Sequence, residues 1–185
     1  MKTNETISNL IIKRFLHLWS HAAIKIRGDD GTDTEVTMTE LASLATADRL
    51  VSVSDEAAYT ALVANSGKPH TLPNLTASCT ISLPAAAVGL EYEFIYKGVA
   101  ADAQNWVIDT GSDTNFFLGG LAHLDTDAGS GGDEVVPIAG DGDSNSKLTV
   151  VTPDVGTRIK AICDGTNWVL SGYVVSATVP SFADQ

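Results

Sequence analysis

The sequence is short of basic residues, aromatics and cysteine. Lys and Arg together number 11 against 23 Asp and Glu, a formal charge of −12. A protein that grips a phosphate backbone needs a cationic surface, so nucleic-acid binding is excluded as the main task. The only cysteines are Cys79 and Cys163, and no C-x-x-C or Cys/His cluster accompanies them, which argues against a zinc site. Both fall in strand-like runs. They read as small buried hydrophobes, or as a disulfide if their strands are neighbours. No run approaches the ~18 apolar residues of a membrane span. Lys13, Arg14 and His17 interrupt the apolar N-terminal stretch, so neither a membrane partner nor a secretory signal is expected.

The chain has 185 residues, 44% of them hydrophobic, enough for one compact domain with its own core and a short extra segment. Its charge is unevenly placed. Residues 1–27 carry five basic groups against Glu5, a net +4, while the remainder carries 6 basic and 22 acidic groups, a net −16. A small basic arm is therefore joined to a strongly acidic body, and the two are expected to face different surroundings.

Apolar residues at Ile7, Leu10, Ile11, Phe15, Leu18 and Ala22 repeat every three to four positions and predict a helix over residues 5–20. Ile12, Leu16 and Trp19 widen its apolar face, leaving a polar stripe of Asn9, Lys13, His17 and Ser20. Such a helix must bury itself against its own body, a sister subunit or a partner. Alternation of Ile24 and Ile26 suggests a short strand over 23–27, followed by a Gly/Asp linker at 28–33. Capping-box spacing from Thr37 to Glu40 predicts a short helix through Ala45. Ser54-Asp55-Glu56 reads as a second N-cap, with Ala57, Ala58, Leu62 and Ala64 continuing that helix to a stop at Asn65-Ser66-Gly67.

After Pro69 the pattern changes to strands and turns. Apolar runs at 77–83, 92–96, 106–108, 116–118, 134–136, 148–151, 158–163, 168–170 and 173–175 are separated by Gly, Asp, Asn and Pro. Strands this evenly spaced predict a mainly β chain: a β-sandwich or jelly-roll-like domain over 67–185, preceded by an N-terminal α-helical arm over 1–36 and a connector with two short helices over 37–66. Asp164-Gly165 marks a tight hairpin. Asn105-Trp106-Val107-Ile108 and Asn167-Trp168-Val169-Leu170 echo one another, each opening an apolar strand. Two core tryptophans at the rim, or a ligand-stacking pair, are both consistent with the echo.

Catalytic signatures are few. His17 and His21 have i, i+4 spacing without the Glu of a His-Glu-x-x-His site, and no Gly-x-Ser-x-Gly elbow occurs. Asn65-Ser66-Gly67-Lys68-Pro69 lacks the first glycine and the final Ser/Thr of a phosphate loop. No enzyme activity and no cofactor are expected. The one metal candidate is calcium in the Asp141-Gly142-Asp143-Ser144-Asn145 loop, with Asp125, Asp127 and Asp133 forming a second acidic loop. Solvated turns whose carboxylates serve the backbone are the simpler reading.

The words Asp164-Gly165-Thr166-Asn167-Trp168 with Gly172, Leu83 to Leu90, Asn105 to Asp109 and Ala58 to Lys68 resemble β-domains of tailed-bacteriophage virion proteins. They are most similar to capsid decoration (cement) proteins, and the resemblance covers residues 55–176. It implies a homotrimer on the outer capsid surface of the virion, with the major capsid protein shell as partner. The partner-binding residues expected from the arm are Ile7, Leu10, Ile11, Phe15, Leu18 and Trp19 as apolar anchor. Lys13, Arg14, Lys25 and Arg27 would complement an acidic shell. The alternative is a receptor- or glycan-binding module of a phage tail or head fibre.

Overall fold

A computed structural model describes residues 23–27, 32–37, 49–99, 104–127 and 135–185. The chain divides into two units, Met1–Arg49 and Leu50–Gln185. In the first, β1 (Ala23–Arg27) pairs antiparallel with β2 (Asp33–Thr37), so the Ile24/Ile26 alternation does make a strand. The helix predicted over 5–20, and all but the first residue of the one opening at Thr37, lie outside the described residues. Thr37 itself ends β2.

The second unit is mainly β, built as two mixed sheets. The chain passes back and forth between them: β3 (Val51–Ser52), β5 (Pro69–Leu72) and β7 (Glu91–Tyr96) enter one sheet. The strands β4 (Ala58–Thr60), β6 (Cys79–Ser82) and β8 (Asn105–Asp109) enter the other. Within each trio the neighbours run parallel, because each crosses to the opposite sheet before returning. Jelly rolls are antiparallel throughout, so this winding departs from the jelly-roll expectation. The remaining strands are β9 (Phe117–Asp125), β10 (Val135–Ala139), β11 (Lys147–Val151), β12 (Arg158–Cys163), β13 (Trp168–Ser176) and β14 (Ser181–Ala183). They complete a seven-stranded sheet of order β10-β9-β13-β12-β7-β5-β3 and a five-stranded sheet of order β14-β11-β8-β6-β4.

The helix predicted over residues 54–64 is not formed. Its Ala-rich composition favours helix, but Ala58–Thr60 lie beside β6, and the ladder continues as Thr80 N–H donates to Ala57 O and Ala61 N–H to Ser82 O. Tertiary pairing overrides a propensity difference of tenths of a kcal/mol per residue. The supposed N-cap carboxylate of Asp55 accepts instead from the Thr76 backbone N–H, 3.0 Å away and 21 residues on. Only Val63–Asn65 turns, as a single 3-10 turn. The segment expected to be a helical connector thus supplies an outer strand to each sheet.

The inner faces of the two sheets meet in one apolar core. Ring contacts cross between them: Tyr59 of β4 with His70 of β5, Phe94 of β7 with Trp106 of β8, and Phe117 of β9 with Phe182 of β14, at centroid separations of 5.8, 6.2 and 6.2 Å. Trp106 and Trp168, one from each sheet, are fully buried, so neither sits at a rim. The runs 168–170 and 173–175 prove to be one strand, β13, which continues through Gly172. There φ is +131°, and a Cβ would stand 2.2 Å from Arg158 O, so only glycine fits.

The free edges of these two sheets are short or blunted. β3 has two residues, β4 and β14 three each. At β10, Gly140 N–H donates to Gly119 O, so by antiparallel alternation Pro137 turns its backbone to the open edge, where it has no N–H to give.

Candidate functional site

The expected anchor residues Ile7, Leu10, Ile11, Lys13, Arg14, Phe15, Leu18 and Trp19 lie outside the described residues. Lys25 and Arg27 stand in β1 opposite Glu35 and Asp33, so the register sets basic positions across from acidic ones.

The acidic loops use their carboxylates on themselves. Asp141 Oδ1 accepts the N–H groups of Asp143, Ser144 and Asn145 at 3.0, 3.0 and 3.1 Å, and Oδ2 accepts the Ser144 hydroxyl at 2.6 Å. The Ser144 hydroxyl and N–H, with the neighbouring amides, hold this carboxyl well below the usual carboxylate range. Oxygens engaged by four donors point at the chain, in an Asx-type turn. In the other loop, Asp125 Oδ1 accepts the Asp127 N–H at 2.8 Å, while Asp133 lies outside the described residues. Among the described residues no three His, Cys, Asp or Glu side chains are grouped to hold a metal ion.

The Asp164-Gly165 signal is a hairpin turn joining β12 to β13. Asp164 Oδ1 accepts from Asn167 N–H at 2.7 Å and Thr166 N–H at 2.8 Å, and these two bonds lower its pKa. The turn also clamps the start of β9: Asn167 Oδ1 accepts from Phe116 N–H at 2.9 Å, and Asn115 Nδ2 donates to Thr166 O at 2.6 Å. The second Asn-Trp word thus serves the fold twice, its Asn fixing a neighbouring strand and its Trp filling the core. A ligand-stacking role for Trp106 and Trp168 is overturned, since both rings are wholly enclosed.

Cys79 and Cys163 are free and buried, on different sheets, which settles the disulfide question for this structure. Burial, with Asp55 and Glu56 adding to it, pushes the Cys79 thiol up, away from the reactive thiolate. His70 is enclosed by Tyr59, Tyr92 and Phe94 with Nδ1 2.9 Å from Lys68 O, and burial pulls its pKa down. His123 is equally buried, with Nε2 2.9 Å from Ser176 O. These groups are placed for packing, away from solvent.

The surface feature that sequence reasoning missed is the outer face of the seven-stranded sheet at its β13-β9-β10 end. Residues there alternate with the buried Trp168, Leu170, Val174, Phe117, Leu121 and His123. The register builds cross-strand rows: Val169 beside Leu118, Tyr173 beside Ala122 beside Pro137, and Val175 beside Leu124 beside Val135. Gly120, Ser171 and Ala139 fill the gaps, and no outward position on these three strands is charged. Val135, Val169 and Tyr173 are 65%, 40% and 38% exposed. At the margin, on β7 and β12, Glu93 pairs with Arg158 and Glu91 with Lys160, so charge there is already compensated. A signal was present: strands covered on both faces read as unbroken apolar runs, and Tyr173-Val174-Val175 and Val135-Val136-Pro137-Ile138-Ala139 do so.

The outer face of the five-stranded sheet is different. Its rows run Thr80, Val107, Thr149 and Ser82, Asp109, Lys147, and the Ser82 hydroxyl donates to Asp109 Oδ2 at 3.2 Å. That is an ordinary solvated face.

No protein-family model matches the chain, and no curated protein matches it.

Proposed function

We propose that the chain is a structural virion protein that decorates and stabilises a bacteriophage capsid from its outer surface, as a β-sandwich body held by its N-terminal segment. The observation that carries this reading is the division at Arg49/Leu50. It separates a unit of 6 basic and 7 acidic residues, whose first 27 residues are net +4, from a β body with 5 basic and 16 acidic residues, a net −11. A segment of one charge sign joined to a body of the other suits a protein whose two ends meet different surfaces. The resemblance of residues 55–176 to phage virion β-domains supports the same reading. The mechanism would be many weak contacts multiplied by symmetry, so that the assembled shell is bound far better than isolated subunits. The activity is mechanical rather than catalytic.

The glycan-binding alternative loses its best candidates, because the paired tryptophans are inside. The test of decoration is retention on parent particles. Full-length chain is expected to co-sediment with shells, and chain lacking residues 1–27 is expected to stay in the supernatant. Equal retention of the two overturns the reading, as does immunogold label confined to the tail tip.

A further inference from the structure

We infer that the uncharged outer face of β13, β9 and β10 is where copies of this chain meet one another. The assignment deepens the decoration reading and rests on its symmetric-assembly part. Three observations carry it. The outward positions of the three strands are uncharged and, apart from Ser171 and the Tyr173 hydroxyl, apolar, close to the pattern of strands covered on both sides, whereas the five-stranded sheet presents hydroxyls and charges outward. The charge argument then chooses the occupant. Two bodies of net −11 repel wherever their acidic loops approach, and like charges set against each other across a contact oppose association. This face carries none of that charge, and its flanking Glu93–Arg158 and Glu91–Lys160 pairs are internally neutral. It therefore complements a second copy of itself, while offering a strongly basic or acidic stranger no opposite charge to bind.

The third observation concerns geometry. Edge-to-edge pairing is the other way for sheets to associate, and here it is poorly served: the β10 edge lacks the Pro137 N–H and the other edges of the two sheets are two or three residues long. Association by face closes on itself under rotational symmetry and buries the exposed Val169, Tyr173 and Val135 side chains in a flat contact.

The test is sedimentation velocity of the full chain over a range of micromolar concentrations, with circular dichroism to confirm folding. Wild type is expected to sediment as a concentration-dependent oligomer. Val169→Glu places a carboxylate on the face, in the row that Val169 forms with Leu118, and is expected to weaken self-association by about 100-fold or more. Ala139→Glu, at an exposed outward position on β10, is the second variant in case the first fails to fold, and is expected to act the same way. Thr149→Glu on the opposite sheet is expected to leave the oligomer intact. A wild-type monomer at every concentration overturns the inference. So does an oligomer that withstands both variants. Particle binding is read separately. Loss of shell retention with the oligomer intact counts against decoration alone, and a variant-sensitive oligomer that never binds shells still upholds the interface.

Discussion

The outer faces of the two sheets are built from the same backbone geometry and carry opposite chemistry. On the five-stranded sheet, hydroxyls and charges stand outward beside Val107 and Val151, with Ser82, Asp109 and Lys147 in one row. On the seven-stranded sheet the outward row Val175, Leu124, Val135 has no polar member. The inner faces are alike: each contributes a fully buried tryptophan and a set of ring contacts to one core. The asymmetry is thus confined to the surface. It concerns what each sheet meets rather than what holds the domain together, since stability follows apolar area removed from water inside.

The largest effect expected is the one that should not distinguish the sheets. Trp106→Ala and Trp168→Ala each remove a wholly enclosed indole, and each is expected to cost about 3–5 kcal/mol in urea unfolding. A large difference between the two would mean that one sheet carries the core and the comparison is wrong.

An intermediate effect comes from acid. His70 sits on the inner face with its pKa lowered by burial, so the unfolded chain binds its proton more readily than the folded one. Stability is then fully present above the unfolded value of about 6.5 and declines as the pH falls below it. A second decline follows at lower pH, where three carboxylates with depressed pKa values take up protons. Asp141 is held down by the Ser144 hydroxyl and nearby amides, Asp164 by the Asn167 and Thr166 N–H groups, and Asp55 by the Thr76 N–H. His70→Gln is expected to flatten the first limb of the midpoint-against-pH curve and leave the second. If the first limb persists in the variant, another group produces it.

The smallest effect is on the outside. Exchanging the chemistry of the two faces, with Val169→Thr on one and Thr149→Val on the other, is expected to change the unfolding free energy of the dissociated chain by no more than about 0.5 kcal/mol. A cost well above that for Val169→Thr would mean that the apolar face is held within its own chain.

Much of the β body was legible because its strands alternate and its turns are written in Gly, Asp and Asn. Asp164-Gly165 marks its hairpin directly. What failed was local. Residues 57–64 are rich in alanine, and nothing in their own sequence reveals that β6 will lie alongside and take their backbone hydrogen bonds. Gly172 looked like punctuation between two strands, when it lets one strand continue where a Cβ would collide with Arg158 O. Parallel winding was equally hidden, since pattern marks where strands are and leaves open which neighbours they choose. The candidate surface was missed for another reason. Reading apolar runs as strands records their existence, and the faces emerge only when the register aligns Val169 with Leu118 and Tyr173 with Ala122.

Pro137 has a consequence for the material the protein forms. Sheets that add strand to strand have no natural stopping point, and a solution of them drifts toward fibrils and gel. A β body whose longest free edge lacks a donor at its midpoint is resistant to that drift in its native state, even when crowded on a surface or concentrated for storage. Its assemblies are expected to be finite particles, and its concentrated solutions to stay clear.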